Sequence, residues 1–82
     1  MNKRFSIEMC SDLDFEGMVI DVSYDMETIA SINYDNGIDN MEVEMRPISE
    51  NIIFPLDDFF LALRQAKQLA IKCAKEDEFK KD

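Results

Sequence analysis

Histidine and tryptophan are absent from this 82-residue chain, and glycine, proline and cysteine occur only twice each. Without histidine, the chain has no histidine base, no Ser/His or Cys/His nucleophile and no Cys/His zinc site. Two isolated glycines do not form a glycine-rich phosphate loop. No apolar run approaches the roughly 20 residues of a membrane-spanning helix. These absences predict a protein that is not an enzyme and that binds no metal or cofactor.

Basic residues are also scarce, since Lys and Arg number 9 against 18 Asp and Glu, which gives a net charge of −9. This charge argues against direct binding to nucleic acid or to an anionic membrane surface, because both attract Lys and Arg. The basic start of the chain lacks the continuous apolar segment of a signal peptide. We therefore expect a cytoplasmic protein whose Cys10 and Cys73 are reduced, although an oxidising compartment would allow a disulfide between them.

Apolar and polar residues alternate with a period of two in the first half of the chain, which is typical of half-buried strands. The predicted strands are residues 4–9, 18–24, 28–34 and 41–45. Residues 51–54 are a candidate fifth strand or an extended lead-in to the next element. The side chains expected to face the core are Phe5, Ile7, Met9, Met18, Ile20, Val22, Tyr24, Ala30, Ile32, Tyr34, Met41, Val43 and Met45.

The apolar period changes to three and four residues beyond Pro55, which indicates a helix. One helical stripe contains Phe59, Leu63, Ala66, Ala70, Cys73 and Ala74. Aspartates at the start of this segment and lysines near its end match the helix dipole, and we predict a helix over about residues 56–77. The predicted fold is α+β, a single domain over residues 1–82 with an antiparallel β-meander of four to five strands and one long C-terminal α-helix packed on one face.

Two segments contain turn-forming residues. Asn36-Gly37 accepts positive φ at both central positions of a turn, so a type I′ turn is predicted at residues 35–37. Residues 12–17 read Asp-Leu-Asp-Phe-Glu-Gly and resemble the first half of an EF-hand loop, but the twelfth position is Ser23 instead of a bidentate Glu. We expect an acidic turn whose aspartates accept backbone N–H groups.

The negative charge lies in the predicted sheet, because residues 1–56 carry 12 acidic and 3 basic side chains and residues 57–82 carry 6 of each. No Lys or Arg lies between Phe5 and Met45, so these acids have no basic partner nearby in the sequence. We predict an acidic surface that binds a basic protein, as complementary charge speeds encounter; the alternative is a solvated face that aids solubility. The candidate partner-binding residues are Asp12, Asp14, Glu16, Asp21, Asp35, Asp39, Glu42 and Glu44.

Affinity also requires buried apolar anchors. Candidates that lie near the acidic loops, and that could equally belong to the core, are Phe15, Tyr24, Tyr34 and Ile38. Three apolar residues fall off the main helical stripe, namely Leu61, Leu69 and Phe79. Their position is compatible with a monomer, a weak dimer or a contact between the helix and a partner.

The segments Phe15-Glu16-Gly17-Met18 and Phe54-Pro55-Leu56-Asp57-Asp58-Phe59 are similar to segments of small acidic bacterial proteins. With its size, its acidity and its meander followed by one helix, the chain resembles the immunity proteins of toxin–immunity systems, including those paired with contact-dependent growth-inhibition toxins. This resemblance implies a toxin inhibitor and transfers no binding residue.

The function hypothesis that follows is an immunity protein that neutralises a basic nuclease-type toxin, such as a ribonuclease, because nuclease clefts carry basic residues that hold phosphates. Two alternatives remain. One is an acidic adaptor or chaperone-like subunit that binds through its helix, and the other is a nucleic-acid mimic that inhibits a DNA-binding protein.

Overall fold

The computed structural model describes residues 4–48 and 51–80, and the side chains through residue 78. The elements, in chain order, are β1 (Phe5–Ser11), β2 (Met18–Tyr24), β3 (Glu27–Asn33), a 3₁₀ helix (Ile38–Asn40), β4 (Glu42–Met45) and α1 (Leu56–Lys80). The strands form an antiparallel sheet in the order β1-β2-β3-β4, and α1 packs on one of its faces. The predicted α+β meander with one long helix is confirmed. The prediction for Phe79 concerns a side chain outside the described part.

Residues 51–54 were a candidate fifth strand or lead-in to the helix, and the strand alternative is wrong, since residues 51–55 have no regular secondary structure. Ile52 and Phe54 instead pack against the core, and the Phe54 ring lies 5.5 Å from the ring of Phe5 on β1. The chain must therefore pass from β4, at one edge of the sheet, to β1 at the other. A segment that crosses the strands cannot pair along them.

The primed turn lies in a different hairpin from the one predicted. Asp25 and Met26, between β2 and β3, have φ values of 53° and 73°, both positive as a type I′ turn requires. At residues 35–37 only Gly37 has a positive φ, 100°, and its N–H donates to the Tyr34 carbonyl at 2.9 Å. A longer connection forms there because the 3₁₀ helix and the residues beside it pack Ile38 and Met41 against the core.

The core lies between α1 and the sheet. It contains Ile20, Val22, Tyr24, Ile29, Ala30, Ile32, Tyr34, Ala62, Ala66, Ala70, Cys73 and Ala74. The pairing of β2 with β3 passes from Val22–Ala30 to Ser23–Thr28, so the extra residue Ile29 is buried together with Ala30. Alanines at the helix contact positions allow α1 to lie close to the strands.

Three residues predicted to face the core lie on the correct face but remain open to solvent. Met9 is 50% exposed, Val43 53% and Met45 59%, whereas Met18 and Met41 pack against the core. The reason is geometric, because a helix about 10 Å wide cannot cover four strands spaced about 4.8 Å apart. The edges of the sheet therefore keep apolar side chains that the helix does not reach.

Candidate partner-binding surface

Most of the predicted binding residues lie at one end of the sheet. The antiparallel order brings together the end of β1, the start of β2, the end of β3 and the start of β4. The loops and the strand start at this end carry Asp12, Asp14, Glu16, Asp35, Asp39 and Glu42. We call this region the acidic end.

Two aspartates of the acidic end order its loops. The Asp12 carboxylate accepts the N–H of Asp14 at 2.9 Å, which confirms the predicted acidic turn. The Asp35 carboxylate accepts the N–H groups of Glu16 and Gly17, both at 3.1 Å. These hydrogen bonds connect the β1–β2 loop to the segment between β3 and β4. Both segments therefore determine the position of Glu16.

A cavity of about 420 Å³ opens at the acidic end. Its carboxylates come from three separate parts of the fold and are Glu16, Asp35, Asp77 and Glu78. Tyr34 and Ile38 supply apolar wall, and none of the described residues that line the cavity is basic. We call this cavity the acidic pocket.

Tyr34 forms the inner wall of the acidic pocket. Its hydroxyl accepts the N–H of Met18 at 2.9 Å and donates to the Asp77 carboxylate at 2.7 Å. Burial, followed by the hydrogen bond to Asp77, raises the pKa of Tyr34 to about 12. A Cβ on Gly17 would lie 2.6 Å from the Tyr34 ring, so only glycine permits this close approach.

The aromatic anchors predicted from sequence belong mainly to the interior. Tyr24 and Tyr34 are each 8% exposed and are part of the core, so neither is available as a free anchor. Phe15 and Ile38 are half-buried, and Ile38 lines the acidic pocket. The apolar side chains that line the acidic pocket are therefore Ile38, Ala74 and the edge of the Tyr34 ring.

A second group of acidic residues lies on the sheet face opposite α1. The strand register aligns Glu8 with Asp21, Asp21 with Ser31 and Ser31 with Glu44, so these four residues form one row across all four strands. We call them the carboxylate row. Neighbouring side chains in such a row stand about 5 Å apart, so three carboxylates share a narrow strip.

The fold places one basic residue beside the carboxylate row. Arg46, directly after β4, donates from Nε to the Ser31 hydroxyl at 3.0 Å, and its terminal nitrogen lies 3.8 Å from Glu44. Ser31 in turn donates to Asp21 at 2.6 Å. The sheet pairing brings Arg46 to this face, where it offsets part of the charge, and Asp21 is consequently less available to a partner than Glu42.

The two cysteines lie on opposite faces of the sheet, so the alternative of a disulfide between them is wrong. Cys10 belongs to the sheet face opposite α1 and donates to Asp21 at 3.4 Å, whereas Cys73, a residue of α1, is buried between the helix and the other face, with its sulfur 3.1 Å from that of Met9. Desolvation, followed by Asp21 and Glu8, raises the pKa of Cys10 to about 11. Both thiols therefore stay protonated near neutral pH.

The helix flank differs in detail from the prediction. Leu61 is 52% exposed as expected, but Leu69 packs against the core. Leu56 and Phe60, one turn apart, are 64% and 57% exposed. These two exposed apolar side chains were not predicted from the sequence, although their four-residue spacing off the main stripe indicates them. Asp77 and Glu78 were also missed, because they lie in the helix segment whose net charge is zero.

No protein-family model, curated protein or solved structure matches this chain. Within residues 4–48 and 51–80, α1 is too polar to cross a bilayer and no other helix is long enough. The same residues include no group of three or more His, Cys, Asp or Glu side chains placed to hold a metal ion.

Proposed function

We propose that this protein binds and neutralises a basic nuclease-type toxin, as an immunity protein of a toxin–immunity system does. The observation that supports the proposal is the acidic pocket, in which four carboxylates meet around one cavity of about 420 Å³. A nuclease must hold phosphates with Lys and Arg. A partner that captures one of those side chains, or that occupies the cleft beside it, excludes the nucleic acid without any catalytic residue of its own.

The distribution of charge suits this task. Six acidic residues lie at the acidic end, and two of them, Glu16 and Asp35, line the pocket, so a basic surface that approaches this end meets negative charge before contact. Such complementarity raises association rates and selects the partner. Inside the pocket, the ring of Tyr34 and the side chain of Ile38 offer an apolar wall along which the stem of a Lys or Arg can pack.

The first experiment is affinity capture at low ionic strength from the source bacterium, followed by assays of the captured protein on RNA and on DNA. We expect a basic protein that degrades one of these substrates and loses that activity with one equivalent of the present chain. A captured protein whose nuclease activity is unchanged at saturation would contradict the proposal.

A matched pair of charge reversals then tests the location. Glu16→Lys with Glu78→Lys reverses two exposed charges of the pocket, and Asp57→Lys with Asp58→Lys makes the same change in net charge at the far end of α1. We expect the pocket variant to associate at least about tenfold more slowly at low salt and the control about twofold more slowly or less. Equal effects of the two pairs would remove the pocket from the interface.

A second candidate function is the adaptor, and the exposed apolar side chains of Leu56, Phe60 and Leu61 at the start of α1 favour it. An adaptor that binds through this flank would lose its partner on Leu61→Asp and keep it on the Glu16→Lys and Glu78→Lys double substitution. The opposite pattern is expected of the toxin inhibitor.

A further inference from the structure

Strand β4 leaves one edge of the sheet open. Its residues pair with β3 on one side, and no other described strand pairs with it on the other. The N–H of Arg46 bonds to the carbonyl of Ile29. In an antiparallel pair, the backbone N–H and C=O groups of successive residues point alternately toward the partner strand and away from it. Since the N–H of Arg46 points toward β3, the N–H and C=O groups of Val43 and Met45 point away from the sheet. These groups can pair with one more strand.

An apolar groove lies beside this open edge. It has a volume of about 210 Å³ and is lined by Ile32, Met41, Val43, Leu63, the stem of Lys67 and Glu42. Val43 and Met45 stand on the side of β4 that faces the groove, where α1 does not cover them. Strand addition uses two features, backbone hydrogen bonds and pockets for alternate side chains, and both are present here.

The other side of β4 carries two glutamates, and Arg46, directly after the strand, lies 3.8 Å from Glu44. Glu42 and Glu44 are both exposed and point to the face opposite α1. A strand added here would place its own alternate side chains beside these carboxylates. Basic side chains on that face, with apolar side chains on the face toward the groove, would complement β4 at every position.

A second copy of this chain fits the same edge less well than a basic strand does. Antiparallel pairing of two β4 strands about Val43 sets Glu42 against Glu44 twice. Pairing about Glu44 sets Glu44 against its own copy and places Glu42 opposite Arg46. Like charges directly opposite one another are unfavourable, and each copy carries a net charge of −9. The edge therefore favours a basic partner over self-association.

We propose that β4 accepts an extended segment of a basic partner as a fifth strand of the sheet, with alternating apolar and Lys or Arg side chains. Identifying this partner with the toxin rests on the proposed function, whereas the strand addition rests on the edge itself. The groove takes the apolar side chains and the two glutamates take the basic ones.

The test uses a designed peptide, Lys-Val-Lys-Val-Lys, and two controls, Glu-Val-Glu-Val-Glu and the block peptide Lys-Lys-Lys-Val-Val. Amide hydrogen exchange is followed by NMR, residue by residue. We expect the alternating basic peptide to slow exchange at Val43 and Met45 by about tenfold or more at saturation, and the two controls to leave these amides unchanged. Protection at β1 instead, or equal protection by the block peptide, would overturn the proposal.

Met45→Lys and Met9→Lys provide a matched pair, since they make the same change at similarly exposed positions on opposite edges of the sheet. We expect Met45→Lys to weaken peptide binding by about tenfold and Met9→Lys by less than about twofold, with both proteins folded by circular dichroism. The captured nuclease separates the two proposals. If inhibition of the nuclease is insensitive to Met45→Lys, strand addition is overturned and the proposed function stands. If the peptide protects Val43 and Met45 but no nuclease is inhibited, the proposed function is overturned and strand addition stands.

Discussion

The hydroxyl of Tyr34 donates a 2.7 Å hydrogen bond to the Asp77 carboxylate and so connects the end of the sheet to the last turns of the helix. The same oxygen accepts the N–H of Met18 at 2.9 Å. One buried side chain therefore holds three elements that are distant along the chain. These contacts also form the wall of the acidic pocket, so stability and the proposed binding site depend on the same residue.

Tyr34→Phe removes both hydrogen bonds and leaves the ring in place. We expect the free energy of unfolding to fall by about 1–2 kcal/mol near pH 7, because a backbone N–H and a carboxylate lose their partner. Denaturant unfolding measures the change. Tyr24→Phe, at an equally buried tyrosine, is the control and should cost less than about 0.5 kcal/mol. Equal costs for the two substitutions would contradict the role given to the Tyr34 hydroxyl.

Stability should also depend on alkaline pH through Tyr34. Its pKa is raised from 10.0 to about 12, first by burial and then by Asp77. The stabilisation that comes from the neutral phenol is therefore complete below pH 10 and is lost as the pH rises through about 12. The difference in unfolding free energy between the wild type and Tyr34→Phe, about 1–2 kcal/mol near pH 7, should therefore largely disappear by about pH 12. If the difference in unfolding free energy stayed constant from pH 9 to about 12, the dependence on Tyr34 ionisation would be refuted.

Gly17→Ala should destabilise the protein by about 1–3 kcal/mol through overpacking. The added Cβ would lie 2.6–2.9 Å from three atoms of the Tyr34 side chain, which cannot move without losing its hydrogen bonds. The cost should fall by more than half in a Tyr34→Leu background, which a double-mutant cycle of unfolding free energies would measure. An unchanged cost in that background would place its cause elsewhere.

Met26→Gly should increase stability. Met26 has a φ of 73° and is 96% exposed, so the side chain contributes strain and few contacts. Glycine adopts this conformation freely, and we expect a gain of about 0.5–1 kcal/mol in the free energy of unfolding. Leu13→Gly is the control, since Leu13 is equally exposed but is not among the residues with positive φ. A gain of the same size there would rule out relief of strain as the cause.

Cys10 should react slowly with alkylating agents. Desolvation and the neighbouring carboxylates raise its pKa from 9.0 to about 11, so the thiolate fraction at pH 8 falls by about a hundredfold. The greater nucleophilicity of a more basic thiolate recovers part of this loss, which leaves a rate about tenfold below that of an ordinary thiol. The measurement uses a Cys73→Ala background, with the urea-unfolded protein as the reference. A native rate equal to the unfolded one would show that the pKa is not raised.

Local pattern was sufficient to predict the elements of this fold. Alternation placed β1 to β4 within two residues, and the alanine stripe predicted the helix and the face it buries. These features depend on side-chain periods of 2 and 3.6 residues, which adjacent positions in the chain already express. The predicted strands left a short connection at Asp25-Met26, but its primed geometry was not predicted, because methionine rarely adopts positive φ. Asn36-Gly37, with the stronger local signal, is instead part of a longer connection.

The sequence by itself determined that this protein is a small acidic β-meander with a covering helix, and that its negative charge lies in the sheet and loops. Only the tertiary structure decided which acids share a site. Asp77 and Glu78 join Glu16 and Asp35 because the helix ends above the β1–β2 loop, and no local pattern encodes that distance. The open edge at β4 has the same origin, since exposure there depends on how far one helix reaches across four strands.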